Sequence, residues 1–189
     1  MRPVLPSGRH SAGARRARPL AMPFTPFHLG PGAAMKAIGG RHFSFMVFGG
    51  AQVLMDLEPL VRLIAGSSIV HGPTHSVPGA LLVGAVAALT GKPVSEFVLR
   101  LVRAPDQSIS WFASCMGAFL GTFSHVVLDA IMHSDTEPWW PLSSANPFLG
   151  LVSVRALHLA CLLGVALWLV VDTWRQFRKR RNGGAADHQ

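Results

Sequence analysis

Three long apolar stretches, residues 76–90, 109–132 and 154–174, dominate the hydropathy pattern of the chain. As a helix, residues 109–132 would be about 36 Å long, which is enough to cross a bilayer. Residues 76–90 are short for a full span by the same measure, and residues 154–174 run directly into a basic segment. The pattern predicts an all-α, polytopic membrane bundle with three clear spans.

A fourth apolar region, residues 27–57, is interrupted by Gly39-Gly40 and by the charged side chains of Lys36 and Arg41. One continuous helix would carry these charges inside the bilayer, which is costly. Two shorter helices that meet at the glycines would place the charges at a turn. We therefore predict an N-terminal hairpin, with a fourth span as the alternative.

Composition supports a membrane protein, because half of the residues are hydrophobic, 14% are charged and the mean hydropathy is +0.37. The net charge of +8 is concentrated at the two ends of the chain. Because these charges flank apolar segments, they indicate topology rather than nucleic-acid binding. The side richer in basic residues is predicted to be cytoplasmic, and it carries Lys36, Arg41, Lys92, Arg100, Arg103 and the C-terminal cluster.

The chain divides into three parts. Residues 1–21 are rich in Arg, Pro, Gly and Ala and have no apolar segment after the arginines, which is not typical of a signal peptide. We interpret them as a disordered basic leader or an overcalled start. Residues 22–174 form the membrane-embedded domain, and residues 175–189 form a basic cytoplasmic tail.

Two short motifs at the ends of apolar segments carry the chemistry: residues 71–76 (HGPTHS) and residues 124–129 (SHVVLD). His125 and Asp129 are four residues apart, so they lie on one face of a helix. Buried imidazoles in a membrane protein need a partner, and a metal ion is the simplest one. Imidazole and carboxylate ligands favour Zn²⁺, with Mn²⁺ or Fe²⁺ as alternatives.

The predicted topology brings further groups to the same membrane face. The hairpin returns Asp56 to the side of His28, whereas a straight helix would separate the two by roughly 42 Å. Glu58 follows Asp56 and is a candidate general base. Asp56 is a candidate ligand or bridging group with a catalytic role. The predicted metal ligands are His28, Asp56, His71, His75, His125 and Asp129.

His133 and Asp135 lie one to two turns beyond Asp129. They either support the ligands or belong to a solvated loop, and we favour the loop.

The expected activity is metal-assisted hydrolysis, in which metal-activated water attacks a phosphoester or another lipid-like substrate that arrives from the bilayer. The alternative is a non-enzymatic transporter or relay, in which the same groups carry metal ions or protons. A further alternative is a haem protein, which would require His125 and His158 to face each other across the bundle.

At these motifs the chain resembles a family of membrane-bound metal-dependent hydrolases that includes LexA-regulated inner-membrane proteins of bacteria. That family has an early His, an acidic element after an apolar stretch, a His-Arg-x-x-Thr-His-Ser element and a Ser-His-x-x-x-Asp element. The matching positions here are His28, Asp56, His71, His75, His125 and Asp129. The resemblance covers roughly residues 22–150. It implies a metal-dependent hydrolase of the bacterial inner membrane and leaves the substrate open.

The chain departs from the family pattern at three places. Met55 and Glu58 replace the usual Pro and second Asp of the acidic element, and Gly72 replaces the Arg of the histidine element. The first apolar region is also compressed. Any phosphate contact made by the family's Arg is therefore missing at position 72.

Overall fold

The computed structural model describes residues 26–184, and every secondary-structure element in this part of the chain is a helix. The predicted leader, residues 1–21, lies outside the described residues. Three short 3-10 turns occupy Pro26–His28, Gly40–His42 and Pro73–His75. The five α-helices are α1 (Leu29–Gly39), α2 (Phe45–Ile64), α3 (Val77–Leu101), α4 (Trp111–Met132) and α5 (Val154–Gly184).

Three helices are long and apolar enough to cross a membrane: Val77–Leu101, Trp111–Met132 and Val154–Asn182. The predicted three-span bundle is therefore confirmed. The first span is longer than its apolar stretch, since α3 continues past Thr90 to Leu101. Lys92 and Glu96 form an ion pair one turn apart on α3, which lets the helix continue through polar sequence.

The N-terminal region forms the predicted hairpin. Helix α1 ends at Gly39, and Gly40 has a φ of +51°, a left-handed conformation that favours glycine. The Lys36 ammonium donates hydrogen bonds to the carbonyl oxygens of Gly40 (2.9 Å) and Phe43 (3.0 Å). Lys36, whose charge was predicted to lie at the turn, thus stabilises the turn through these two hydrogen bonds.

Helices α2, α3 and α4 pack against one another, and α5 packs mainly on α1. The contact between α2 and α4 is close because α4 presents small residues to it. A Cβ atom on Gly117 would lie 2.5 Å from the carbonyl oxygen of Ser44. The Ser44 N–H donates to the carbonyl oxygen of Ala113 at 3.2 Å. Close approach of this kind is how membrane helices gain packing energy, since lipid supplies no hydrophobic drive between them.

We expect Gly117→Ala to destabilise the fold, because the new methyl group meets backbone that cannot move aside. The cost should be about 1–3 kcal/mol, the usual range for overpacking. The matched control is Gly50→Ala on α2, where a Cβ atom meets nothing within 4 Å. Thermal unfolding in detergent should show a lower Tm for Gly117→Ala alone. Equal Tm values for the two variants would contradict this account of the α2–α4 contact.

Candidate metal centre

All six predicted ligands lie in one cluster at the end of the bundle opposite the Gly40–His42 turn. They come from four segments of the chain that begin or end there: the turn before α1, the second half of α2, the segment before α3 and the last turns of α4. His75 and His125 have no exposed surface, and Asp129 is 2% exposed. The convergence expected from the topology is thus present in the fold, and the role of these residues as ligands stays a prediction.

The carboxylate of Asp129 is the centre of this cluster. Its Oδ2 atom lies 3.1 Å from Nε2 of His125, 3.2 Å from Nε2 of His75 and 3.6 Å from Nε2 of His71. Its Oδ1 atom lies 3.4 Å from Nε2 of His28. Two ligand atoms about 2.1 Å from one tetrahedral ion are separated by about 3.4 Å. These spacings are compatible with ligands that share a metal ion.

Gln52 orients the ring of His125. The Gln52 amide nitrogen donates to the carbonyl oxygen of Gly121 at 3.1 Å, so the amide oxygen faces Nδ1 of His125 at 2.6 Å. Nδ1 must then carry a proton, and Nε2 is the nitrogen that faces Asp129. A metal-binding histidine is typically held in this way by a hydrogen bond at its other ring nitrogen.

Asp135 does the same for His71. Its Oδ1 atom lies 2.9 Å from Nδ1 of His71, and its Oδ2 atom accepts the backbone N–H groups of Val70 (3.0 Å) and His71 (3.2 Å). Burial raises the pKa of Asp135, but the His71 side chain and these N–H groups outweigh it and lower the pKa to about 2. The interpretation of Asp135 as part of a solvated loop is wrong, because its carboxylate is hydrogen-bonded to His71. Sequence spacing does not reveal a contact between residues that are 64 positions apart.

Thr74 and Glu58 orient His75. The Thr74 hydroxyl donates to Oε2 of Glu58, and its oxygen lies 3.1 Å from Nδ1 of His75. The hydroxyl oxygen can therefore accept the Nδ1–H of His75, which leaves Nε2 facing Asp129. Glu58 also accepts the N–H of Thr74 at 2.9 Å and that of Arg62 Nε at 2.8 Å. The predicted general base is thus held by three hydrogen-bond donors.

Asp56 and His28 complete the cluster from the side of α1 and α2. Oδ1 of Asp56 lies 3.4 Å from Nε2 of His125. The His28 ring meets the His125 ring edge-on, with 4.6 Å between centroids. In the described part of the chain, every buried side-chain nitrogen without a hydrogen-bond partner belongs to His28, His75 or His125. Unpaired buried polar atoms are costly, and an ion beside Asp129 would satisfy the Nε2 atoms of all three rings.

The geometry does not favour the haem alternative. His158 stacks on Phe27 with 4.0 Å between ring centroids. The two ring nitrogens of His125 face Gln52 on one side and Asp56 and Asp129 on the other. Both nitrogens of His125 therefore already face other groups, and the His158 ring lies against Phe27 and not against His125.

A family model described as YdjM inner membrane protein matches residues 28–186. The chain belongs to the YdjM inner membrane protein family. The match begins at His28 and includes every residue of the cluster. Neither a curated protein nor a solved structure matches the chain. Together with three apolar helices, membership of the YdjM family identifies an integral protein of the inner membrane.

Besides Asp135, three residues of the YdjM-family cluster were missed as contributors by sequence reasoning. Gln52 lies one turn before Asp56 on the same face of α2, and this i, i+4 spacing was an available signal. Thr74 is inside the histidine motif but has no spacing that reveals its role. His133 was assigned to the solvated loop, yet its Nε2 atom lies 3.9 Å from Oδ1 of Asp129. Its spacing of four residues from Asp129 continues the stripe of His125.

We expect Asp135→Ala to weaken metal binding by about 10–100-fold, the usual effect of losing a carboxylate that orients a ligand histidine. The control is Asp106→Ala, which removes an exposed carboxylate between α3 and α4. Competition with a chelator would measure both affinities. An Asp135→Ala variant that binds metal as tightly as the control would contradict the role given to Asp135.

Proposed function

We propose that this YdjM-family protein is a metal-dependent hydrolase whose metal centre lies at one face of the membrane. The single observation that carries the proposal is the set of imidazole nitrogens directed at the Asp129 carboxylate while their other nitrogens are held by Gln52, Asp135 and Thr74. The proposed ion-binding residues are His28, Asp56, His71, His75, His125 and Asp129.

The donor set favours Zn²⁺, since imidazole nitrogens outnumber carboxylates, and Mn²⁺ or Fe²⁺ are the alternatives. A bound divalent ion would act as a Lewis acid and make water acidic enough to supply a nucleophile near neutral pH. The protein orients the ligands in advance, because hydrogen bonds fix the rings of His71, His75 and His125 before an ion binds.

The proposed substrate is a phosphoester or another lipid-like molecule. Arg62 supports an anionic group, since its side chain is 34% exposed and lies beside the loop that carries His71 and His75. A Cβ atom on Gly72 would collide with the Arg62 guanidinium and with Glu58. Glycine at position 72 therefore makes room for Arg62 at the rim of the centre. Substrate in the bilayer would approach along the exposed apolar surfaces of the spans.

We assign Glu58 a positioning role in place of the predicted general base. Its carboxylate holds Arg62 on one oxygen and Thr74 on the other, and Thr74 in turn orients His75. Accepting a proton from substrate or water would break these contacts. Asp56, which is buried and close to Nε2 of His125, keeps its proposed role as a ligand in the reaction centre.

The proposal also includes an orientation. Arg175, in the basic part of α5, donates to the carbonyl oxygen of Ala37 at 2.9 Å, so the C-terminal cations lie beside the turn that carries Lys36 and Arg41. This concentration of cations at one end supports a cytoplasmic C-terminus, and the metal centre would then face the opposite side.

A reporter fusion would test this orientation. We expect alkaline phosphatase fused to the C-terminus to be inactive and a fluorescent protein at the same place to fluoresce. The opposite pair of results would invert the topology.

The activity itself is tested with the pair His75→Ala/Asp129→Ala. We expect the wild-type protein, purified in detergent through a tag without histidine, to contain metal and to hydrolyse a phosphoester or lipid from a substrate panel. The double variant should lose both properties, because it removes the central carboxylate and one imidazole. His42→Ala, an exposed histidine at the other end of the bundle, is the control.

Equal metal content in the wild type and the double variant would refute the assigned centre. Metal uptake into proteoliposomes without hydrolysis of any substrate would instead favour the transporter alternative.

A further inference from the structure

Two separate groups of ligand atoms share the carboxylate of Asp129. One consists of His28, His125 and Asp129, and the other consists of His71, His133 and Asp129. Within each group the ligand atoms lie within 4.8 Å of one another. Both sets of imidazoles thus face the single carboxylate of Asp129.

His133 defines the second group. It is the first residue after α4, and its ring stacks on His71 with 4.5 Å between centroids and 28° between planes. Nε2 of His133 lies 3.9 Å from Oδ1 of Asp129, while Nε2 of His71 lies 3.6 Å from Oδ2. Two stacked imidazoles therefore direct the same type of nitrogen toward one carboxylate.

We propose that the centre binds two divalent cations bridged by Asp129, with His133 as a ligand of the second. This inference rests on the metal centre of the proposed function. The first ion takes His28, Asp56 and His125. The second takes His71, His75 and His133, since the His75 ring lies 4.9 Å from the His71 ring and 5.2 Å from the His125 ring.

The number of donors supports two ions. A structural or catalytic Zn²⁺ takes about four ligands, whereas five imidazoles and two carboxylates meet here. If Asp129 binds both ions, the other six side chains divide into three ligands for each ion. Hydrolytic two-metal sites hold their ions about 3.5–4 Å apart, a distance that a single carboxylate spans.

The charge balance indicates the class of substrate. Two divalent cations carry more positive charge than Asp56 and Asp129 cancel, so the loaded centre would keep a net positive charge. An anionic phosphoester fits this centre better than a neutral ester, because two ions can stabilise both the attacking and the leaving oxygen of a phosphoryl group.

Metal stoichiometry tests the proposal directly. The full chain is purified in detergent through a tag without histidine, and its metal content is measured by elemental mass spectrometry after loading with Mn²⁺ or Zn²⁺. We expect two ions per chain in the wild type and in His42→Ala, one in His133→Ala, one in His28→Ala and none in the double variant His28→Ala/His133→Ala. The side chain of His133 is 30% exposed, so its truncation should leave the core intact.

Electron paramagnetic resonance of the Mn²⁺-loaded protein reports directly on the coupling between two bound ions. A purely structural role of His133 would not abolish this coupling when His133 is replaced. The wild type should give the spectrum of two exchange-coupled ions, and His133→Ala should give the hyperfine pattern of an isolated ion.

A wild type with a single ion, or a His133→Ala variant that keeps two coupled ions, would overturn the two-ion proposal and leave the proposed function standing. A wild type without any bound metal would overturn both.

Discussion

The burial of Asp129 is the constraint on which the rest of this structure depends. A carboxylate that is almost fully shielded from water, on a membrane-spanning helix, needs compensation from nearby groups. Four imidazoles surround it within 3.6 Å. Two of them, His71 and His125, are held by hydrogen bonds to residues from other segments, and His75 is held by the neighbouring Thr74. Each surrounding segment therefore contributes either a group that faces the carboxylate or a group that orients one.

Helix packing and the candidate centre are linked through α4. Its small residues let α2 approach closely, and one to two turns further along it carries His125 and Asp129. Gln52 on α2 contacts both regions, since its amide donates to Gly121 and accepts from His125. The close approach of α2 and α4 at Gly117 thus determines whether this hydrogen bond can form, and with it which nitrogen of His125 faces Asp129.

The two ends of the bundle differ in chemistry. One end collects Lys36, Arg41 and the basic part of α5 around the hairpin turn. The other collects the six candidate ligands together with His133 and Asp135. For a family of inner-membrane proteins, this asymmetry separates the basic groups expected to influence topology from the candidate metal ligands. It also allows histidines such as His42 to serve as controls for those in the cluster.

The sequence by itself determined the helical membrane class, the three spans, the break at Gly39-Gly40 and the identity of six residues that meet in one cluster. These follow from local rules: apolar length, helical spacing of His125 and Asp129, and the cost of charge in lipid. Only the tertiary structure decided which nitrogen of each histidine faces Asp129. Gln52 and Asp135 reach His125 and His71 through packing, and Thr74, next to His75 in sequence, is held in place by Glu58. The tertiary structure also brought His133 onto His71 and engaged Glu58 with Arg62 and Thr74. Spacing along one helix is set by the backbone, whereas contacts between segments are set by how closely whole helices approach.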